Sequence, residues 1–251
     1  MKPFFSIITV NKNNNAGLVK TINSIRSQTG CDFEFIVIDG GSVDGSRETI
    51  RENEAIISNF VSEEDGGIYE AMNKGIGLAS GEYCLFMNSG DIFPTATTLE
   101  EVRGEISGED LIYGDIYLDT KEGWKEYRYT DRLDTRYILK YVIPHQASYI
   151  RKELFSRVGL YNTGFRIVSD WEWTVRLVAF HPFSYRHIDR FIAVYDTGGL
   201  SFNGKNEALI REERERALKA LFTPEQLAAF DSEESGALGL RHWLKRKIMN
   251  R

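Results

Sequence analysis

Two apolar runs in the first hundred residues end in small polar residues and a carboxylate. Residues 33–38 lead into Asp39, and residues 83–87 lead through Asn88 to Asp91. A run that is apolar at nearly every position is typical of a strand covered on both faces, and hence of a parallel sheet. Ligands of such sheets bind outside the carboxyl ends of the strands. The pattern therefore predicts that both acids face one crevice.

The same pattern predicts alternating strands and helices. Residues 4–10 form a predicted first strand, and Leu18, Ile22 and Ile25 then recur at the spacing of one helical face, which gives a βαβ unit with the second strand. Further strands are predicted over residues 56–61, 83–87, 111–115 and 124–129, and helices over 46–54, 68–79 and 99–106. A nearly all-round apolar helix is predicted to start at Asp170. Together these elements indicate the α/β class, with a mixed, mainly parallel sheet flanked by helices.

The C-terminal part of the chain reads as a helical extension. Pairs of opposite charge four residues apart predict an exposed helix over residues 207–222, and Thr223 opens another helix as a capping box. The predicted boundary falls near Gly204, which gives a main domain of residues 1–204 and an extension of residues 205–251. Residues 240–251 group apolar side chains on one helical face among basic ones, a pattern that is also found in helices lying on a membrane surface. The alternative is a frayed terminal helix.

Composition excludes several classes. The chain has 31 basic and 37 acidic residues, so its net charge of −6 provides no field for general nucleic-acid binding. Cys31 and Cys84 are its two cysteines, which points to a reducing compartment, the cytoplasm, and excludes a zinc site of the usual spacing. No segment approaches the roughly 18 apolar residues of a membrane span. The first apolar run is interpreted as a strand rather than a signal peptide.

Three acids are candidates for chemistry, each with a structural alternative. Asp39 could accept hydrogen bonds from a base or ribose, or cap its own turn. Asp91 suits a divalent cation shared with substrate phosphates, or is an ordinary loop residue. Asp170 could be a general base aimed by a helix, or the cap of that helix. Taken singly, none of the three decides between its alternatives.

Short motifs in a fixed order carry a resemblance to a known family. They are residues 6–10, Ile38-Asp39-Gly40-Gly41-Ser42-Val43-Asp44-Gly45, residues 67–81, Asn88-Ser89-Gly90-Asp91, Tyr113-Gly114-Asp115, Pro144-His145-Gln146, Ser169-Asp170-Trp171-Glu172 and Gly198-Gly199-Leu200-Ser201. In this order they resemble family 2 glycosyltransferases, which are inverting enzymes of the GT-A (Rossmann-type) fold, especially those of bacterial surface-polysaccharide synthesis. The resemblance covers residues 4 to about 201.

The resemblance implies a sugar transfer from a nucleotide sugar, of which a UDP-sugar is the usual form, to a hydroxyl of a saccharide or lipid-linked acceptor. It implies that Asp170 is the catalytic base and that Asp91 binds Mn²⁺ or Mg²⁺. Donor binding would involve Thr9, Asp39, Gly41, Lys74, Asn88 and Ser89. His145 and Trp171 would lie on the acceptor side. From the residues alone, Lys74 also fits a solvated helix lysine and His145 a core histidine.

Two departures and several rival functions bear on this expectation. Asn88 and Gly90 leave Asp91 as the one acid of its motif, which predicts weaker metal binding, and Gly40 replaces an acid that often follows the first Asp. A non-catalytic nucleotide-sugar binding module is the main alternative. A sugar nucleotidylyltransferase would need a glycine-rich basic loop near the N-terminus, which is absent. Residues 11–15 lack the glycines of a dinucleotide-binding turn, and no phosphate-binding G-K-[ST] motif occurs.

Overall fold

The structure, a computed structural model, describes residues 2–199 and 206–232. Its strands are β1 (Phe5–Asn11), β2 (Phe33–Asp39), β3 (Asn59–Ser62), β4 (Tyr83–Phe86), β5 (Leu111–Thr120), β6 (Gly123–Tyr127), β7 (Ser148–Arg151) and β8 (Tyr185–Asp196). Its helices are α1 (Asn15–Arg26), α2 (Ser46–Glu52), α3 (Ile68–Leu78), α4 (Thr98–Glu105), α5 (Thr135–Lys140), α6 (Glu153–Val158), α7 (Ser169–Phe180), α8 (Glu207–Leu221) and α9 (Pro224–Ser232), with a short 3-10 helix at His145–Ala147.

Within these residues the eight strands form one mixed sheet, as predicted. The order is β3-β2-β1-β4-β7-β5-β6, and β8 pairs with the other edge of β5. Strands β1 to β4 are parallel to one another, β7 is antiparallel to both β4 and β5, and β8 is parallel to β5. The chain reverses its winding between β1 and β4, which creates a crevice at the carboxyl ends of those strands.

Burial explains why the strands and helices of the first half of the chain could be predicted from its hydrophobic pattern. Every residue of β1 is buried, and Leu18, Ile22 and Ile25 form the buried face of α1, as the helical spacing predicts. The second half was read less well. The third strand begins at Asn59, three residues later than predicted, and α5, α6, β7 and β8 were not predicted. In β8, register shifts against β5 interrupt the alternation of exposed and buried positions. The strand therefore lacks the simple period of two by which a strand is predicted.

Helix α8 packs against α7 and the loop that precedes α7. Thr223 and Gln226 exchange backbone and side-chain hydrogen bonds at the start of α9, which confirms the predicted capping box. Helix α8 is not exposed all round, because Glu213 and Ala217 are buried. Glu213 accepts hydrogen bonds from the backbone N–H groups of Arg166 and Ile167 at 2.6 and 2.9 Å. Gly204 and residues 240–251 lie outside the described residues.

We predict that Glu213→Gln lowers the free energy of unfolding by about 1–3 kcal/mol. The substituted amide keeps one acceptor oxygen but turns an NH₂ group toward a backbone N–H, which leaves a buried donor unpaired. Glu212→Gln, an exposed change at the neighbouring position, should shift stability by no more than about 0.5 kcal/mol. Urea unfolding monitored by circular dichroism measures both. Equal stabilities of the two variants would contradict the proposed anchoring of α8.

None of the helices in the described residues combines the length and the hydrophobicity needed to cross a bilayer. Cys31 and Cys84 are both free thiols, and burial raises the pKa of Cys84 to about 12, which keeps it protonated at neutral pH. Neither cysteine therefore presents a reactive thiolate.

Candidate active site

The carboxyl ends of β1, β2 and β4 are joined by a chain of side-chain hydrogen bonds. Asn11 pairs with Asp39 in the β1–β2 register, and its Nδ2 donates to Asp39 Oδ1 at 2.8 Å. Ser89, in the loop after β4, donates its hydroxyl to Asn11 Oδ1 at 2.7 Å. Three strand ends are thereby fixed relative to one another at the crevice. Asn11 was not singled out from the sequence, although it is the first polar residue after an apolar run.

Asp39 is fully buried and accepts hydrogen bonds on both oxygens. Besides Asn11, its donors are the Ser42 hydroxyl and backbone N–H, and the Ser62 hydroxyl at 2.7 Å. Burial alone would raise its pKa, but the Ser42, Ser62 and Asn11 hydrogen bonds hold the pKa below its ordinary value. Its geometry is that of the sequence alternative, an aspartate that caps its own turn. A direct contact with a ligand requires these donors to give way.

Two other predicted donor-side residues are already engaged. Thr9 is inaccessible, and its hydroxyl donates to the Met87 carbonyl at 2.6 Å, so it links β1 to β4. Lys74 forms ion pairs with Glu63 at 2.8 Å and with Glu70 at 3.2 Å. This is the helix-lysine alternative, with the ammonium already neutralised. Gly41 has φ +75°, and a Cβ there would lie 3.2 Å from the Glu64 backbone nitrogen, so the turn after β2 requires glycine.

The loop of residues 88–91 turns sharply into the site. Gly90 has φ +113°, and a Cβ on it would lie 2.3 Å from the Asp196 carboxylate. Ile92 forms a bridge with Val194, which brings the end of β8 beside this loop. The departure at Gly90 is thus a steric requirement of this fold, because a side chain would collide with β8. The carboxylate of Asp196, at the end of β8, lies close to this loop, in which the motif lacks a second acid.

Asp91 is buried and held from two sides. Its Oδ1 accepts the Asp196 backbone N–H and its Oδ2 accepts Gln146 Nε2, both at 2.9 Å. Burial raises the pKa of Asp91 to about 6, with the nearby Asp196 charge adding to the effect and the Asp196 backbone N–H, His145 and Gln146 opposing it.

Two buried oxygens near Asp91 have no hydrogen-bond partner among the described residues: Asn88 Oδ1 and Gln146 Oε1. Carboxylate and amide oxygens are the ligands that Mg²⁺ and Mn²⁺ prefer. The described residues contain no cluster of three His, Cys, Asp or Glu side chains that could hold a metal by themselves. The donor set thus fits a hard cation that takes its remaining ligands from water or substrate.

Asp170 lies in the first turn of α7, where the partial positive charge of the helix favours a carboxylate. Its Oδ1 accepts the Tyr69 hydroxyl and the Trp171 backbone N–H, each at 2.9 Å, and its Oδ2 lies 3.0 Å from His145 Nδ1. Burial alone would raise its pKa, but His145 and then Tyr69 and the Trp171 N–H hold the pKa below its ordinary value. Asp170 is therefore ionised at neutral pH.

His145 joins the loop after β4 to α7. Its Nδ1 faces Asp170, and its Nε2 lies 2.9 Å from Asn88 Nδ2. With the amide of Asn88 oriented in this way, Nε2 accepts and Nδ1–H donates to the carboxylate, a tautomer assigned from the network. Through Ser89 and Asn88, the path therefore runs from Asp39 and Asn11 to His145 and Asp170.

Trp171 packs behind Asp170 rather than lying open to solvent. It is almost fully buried, and its Nε1 donates to the Ile138 carbonyl at 2.7 Å. Its ring forms one wall of a cavity of about 140 Å³ beside Asp170, together with Val142, His145, Ile167, Ile210 and Arg214. Arg214 and Gln146 were not singled out from the sequence. Gln146 is adjacent to His145 in a quoted motif, whereas nothing local distinguishes Arg214 from its neighbours in a charged helix.

Comparison with solved structures defines the class of fold. S. aureus TarS superposes on 92% of this chain with a TM-score of 0.69 and 17% identity, and the chain spans 44% of TarS. A TarS fragment in complex with UDP-GlcNAc has a TM-score of 0.69 over 91% of this chain and 69% of its own length. The mannosyltransferase PcManGT from Pyrobaculum calidifontis, in complex with GDP-Man and Mn²⁺, covers 99% of this chain and 84% of its own with a TM-score of 0.61 and 14% identity. The fold is that of the GT-A glycosyltransferases.

Sequence comparison gives the family. The model described as "Glycosyl transferase family 2" matches residues 6–169. A PGL/p-HBAD biosynthesis glycosyltransferase of Mycobacterium bovis is 35% identical over 210 residues, which are 79% of each chain. An uncharacterized glycosyltransferase of Mycobacterium tuberculosis is 31% identical over 219 residues, 84% of this chain and 82% of its own. The chain belongs to glycosyl transferase family 2, as its motifs indicate.

Proposed function

We propose that this glycosyltransferase moves a sugar, with inversion, from a nucleoside-diphosphate sugar to a hydroxyl of a saccharide or lipid-linked saccharide in surface-polysaccharide synthesis. One observation carries the proposal. A continuous path of hydrogen bonds and one peptide link connects Asp39, at the end of β2, with Asp170, at the start of α7. Donor-side and acceptor-side groups therefore belong to one site and are held at fixed distances from each other.

On the acceptor side, we propose Asp170 as the general base. The acceptor hydroxyl passes its proton to Asp170 while its oxygen forms a bond to the anomeric carbon of the donor sugar. The bond from that carbon to the phosphate oxygen breaks, and the nucleoside diphosphate leaves with the electron pair. Attack and departure on opposite faces invert the anomeric centre. A positioned base typically contributes about 10²–10⁴-fold in rate.

The base is aimed by the side chains around it. Tyr69 shares its hydroxyl proton between Asp170 Oδ1 and the Ile167 carbonyl, and His145 Nδ1 lies against Asp170 Oδ2, which together hold the carboxylate plane. Asn88 in turn fixes the ring of His145. We propose His145 as a positioning residue for Asp170 in place of the direct acceptor contact predicted from the sequence.

On the donor side, we propose that Asp91, Asn88 and Gln146 hold a divalent cation, Mn²⁺ or Mg²⁺. The two partnerless amide oxygens and the raised pKa of Asp91 support this assignment. When bound, such a cation stabilises the negative charge that develops on the departing diphosphate. The solved neighbours with UDP, UDP-GlcNAc and with GDP-Man and Mn²⁺ support a nucleotide-sugar donor. UDP is our choice of nucleotide.

The turn after β2, built by Asp39 and Gly41, is the proposed seat of the base and ribose of the donor. Asp39 accepts hydrogen bonds from the Ser42 backbone N–H and from the Asn11 side-chain amide, and so holds both groups in place. Ser89 donates to Asn11 and thereby fixes the loop after β4. A cytoplasmic location, with attachment to the membrane surface through residues 240–251, completes the proposal.

Binding of a nucleotide-sugar panel tests the proposed function. We expect UDP and one UDP-sugar to raise the melting temperature more than GDP-, ADP- or CDP-sugars, and to do so more strongly with 1 mM Mn²⁺ present, because a ligand that binds the folded state stabilises it by mass action. Thermal unfolding measures this, and mass analysis of the products shows whether sugar or nucleotide is transferred. Stabilisation by every nucleotide alike, or transfer of the nucleotide, would contradict the proposal.

A further inference from the structure

Arg214 of α8 is a half-buried cation, and none of the described residues forms an ion pair with it. Its Nε is shielded from solvent and has no hydrogen-bond partner among the described residues, which also provide no ion pair to its guanidinium. The guanidinium carbon lies 4.6 Å from the centre of the Trp171 ring, so the planar group stacks on an aromatic face. Burial lowers the pKa of Arg214 to about 10, with the nearby Asp170 charge opposing the shift. The side chain is therefore charged at neutral pH.

A desolvated charge is costly unless an ion pair or hydrogen bonds compensate it. The other arginines around this region have such partners. Arg176 pairs with Glu172 at 2.8 Å, and Arg216 donates to the Gly164 carbonyl. Within residues 2–199 and 206–232, Arg214 has the ring of Trp171 and the more distant charge of Asp170 as its compensating groups. The uncompensated N–H groups are thus available to an anion that enters from outside the chain.

The position of Arg214 indicates which substrate brings that anion. Arg214 lines the 140 Å³ cavity together with Asp170, and Val142, Ile167 and Ile210 give the rest of its wall an apolar character. Gln146, a proposed cation ligand, borders it, whereas the residues expected on the donor side from the sequence, among them Asp39, do not line it. A group in this cavity therefore lies next to the proposed base, on the side from which the acceptor hydroxyl must approach.

We propose that Arg214 binds an oxyanion carried by the acceptor, the carboxylate of an acidic sugar or a phosphate group, while the reactive hydroxyl meets Asp170. The guanidinium offers paired N–H donors that match a carboxylate or phosphate, and Trp171 holds its plane. The inference rests on the proposed function and narrows it to an anionic acceptor. It also gives α8 a part in the site, since Glu213 ties this helix to Ile167 in the cavity wall.

Binding of small acceptor fragments to the full-length protein with saturating UDP and Mn²⁺ tests the proposal. The probes are methyl β-D-glucuronide for the carboxylate, glucose 6-phosphate for the phosphate, and methyl β-D-glucoside as the neutral match. Saturation-transfer NMR titrations measure the three affinities. We expect one anionic probe to bind at least about tenfold more tightly than the neutral one, the size of one charge-assisted hydrogen bond. The anionic probe that binds identifies the source of the oxyanion.

Three variants complete the experiment. Arg214→Met keeps length and apolar contact with Trp171 but should remove the tenfold preference, and Arg214→Lys should retain part of it. Arg211→Met, an exposed change on the same helix, should leave it intact. The proposal is overturned if no anionic probe is preferred by the wild-type protein, or if the preference survives in Arg214→Met.

Affinity for UDP separates this inference from the proposed function. We expect UDP to bind equally well to the wild-type protein and Arg214→Met. If Arg214→Met loses UDP affinity instead, the guanidinium serves the donor diphosphate and the acceptor assignment is wrong. If UDP does not bind to the wild-type protein, the proposed donor is wrong, whatever the probes do.

Discussion

Asp170→Asn is expected to reduce sugar transfer by about 10²–10⁴-fold while the affinity for the nucleotide sugar stays within twofold. An amide cannot take the proton of the acceptor hydroxyl, so the loss belongs to the chemical step. The donor side is unaffected because the residues that join β1, β2 and β4 do not depend on Asp170. Initial rates and titration of UDP-sugar binding measure the two quantities.

The hydrogen-bond chain around Asp170 accommodates this substitution. An amide at position 170 can keep its oxygen toward His145 Nδ1–H and turn its NH₂ group to the Tyr69 oxygen, because the Tyr69 hydroxyl also donates to the Ile167 carbonyl. Asn88 then keeps its orientation, and the one hydrogen bond lost is that of the Trp171 backbone N–H. The variant should therefore fold, and a loss of activity reports on chemistry rather than on unfolding.

Glu153→Gln is the matched control for Asp170→Asn. Glu153 is also an acid in the first turn of a helix, α6, but it is exposed. Its neutralisation should leave transfer unchanged. Near-normal turnover of Asp170→Asn would remove Asp170 as the base, and an equal loss in both variants would indicate a general effect of helix-end charge.

Asp91→Asn is expected to have opposite effects on binding and on stability. Without its carboxylate the proposed cation site loses its charged ligand, so the gain in UDP affinity on adding Mn²⁺ should fall at least about tenfold. In the metal-free protein, the same change removes a buried charge that has no cation beside it. Calorimetric titration of UDP with Mn²⁺ or with EDTA measures the first effect.

The stability effect depends on pH. The pKa of Asp91 is raised from an ordinary 3.8 to about 6, so the folded protein binds this proton more tightly than the unfolded chain does. Its contribution to stability is complete below about pH 4 and is lost as the pH rises through about 6. At pH 7 in EDTA, Asp91→Asn should therefore be more stable than the wild-type protein by about 1–3 kcal/mol. Near pH 4 the two should be equal.

Gln146, the hydrogen-bond partner of Asp91, allows the stability of Asp91→Asn to be compared with that of the wild-type protein without loss of their hydrogen bond. Gln146 donates its NH₂ to Asp91 while its own oxygen has no partner, so a flip of the Gln146 amide provides an acceptor for an amide at position 91. For the stability measurement alone, Gln146→Leu serves as a control, because it removes the hydrogen bond and leaves the carboxylate. A wild-type protein more stable than Asp91→Asn at pH 7 in EDTA would contradict the electrostatic argument. If UDP binding depends on Mn²⁺ equally in the wild-type protein and in Asp91→Asn, the proposed metal role of Asp91 is wrong.

Part of the candidate site could be predicted from the sequence. Asp91 and Asp170 stand at recognisable positions, after an apolar strand and at a helix start. The side chains that surround the predicted site residues could not be predicted in this way. Lys74 is neutralised by Glu63 and Glu70, and Thr9 is sealed between β1 and β4. The residue type determines which charge and hydrogen bonds a side chain can offer. Whether these remain available to a ligand depends on neighbours that are distant in sequence.

Sequence alone determined the alternation of strands and helices, the mixed and mainly parallel sheet, and the acids at the ends of two strands. These features follow from local periodicity and from burial on both faces, which each segment carries by itself. Only the tertiary structure decided that His145 links Asn88 to Asp170, that Asp196 comes beside Asp91, and that α8 places Arg214 over Trp171. These partners are 25 to 105 residues apart in the closest and most distant hydrogen-bonded pairs. Such pairs exist only once the packed layers have fixed where each side chain ends.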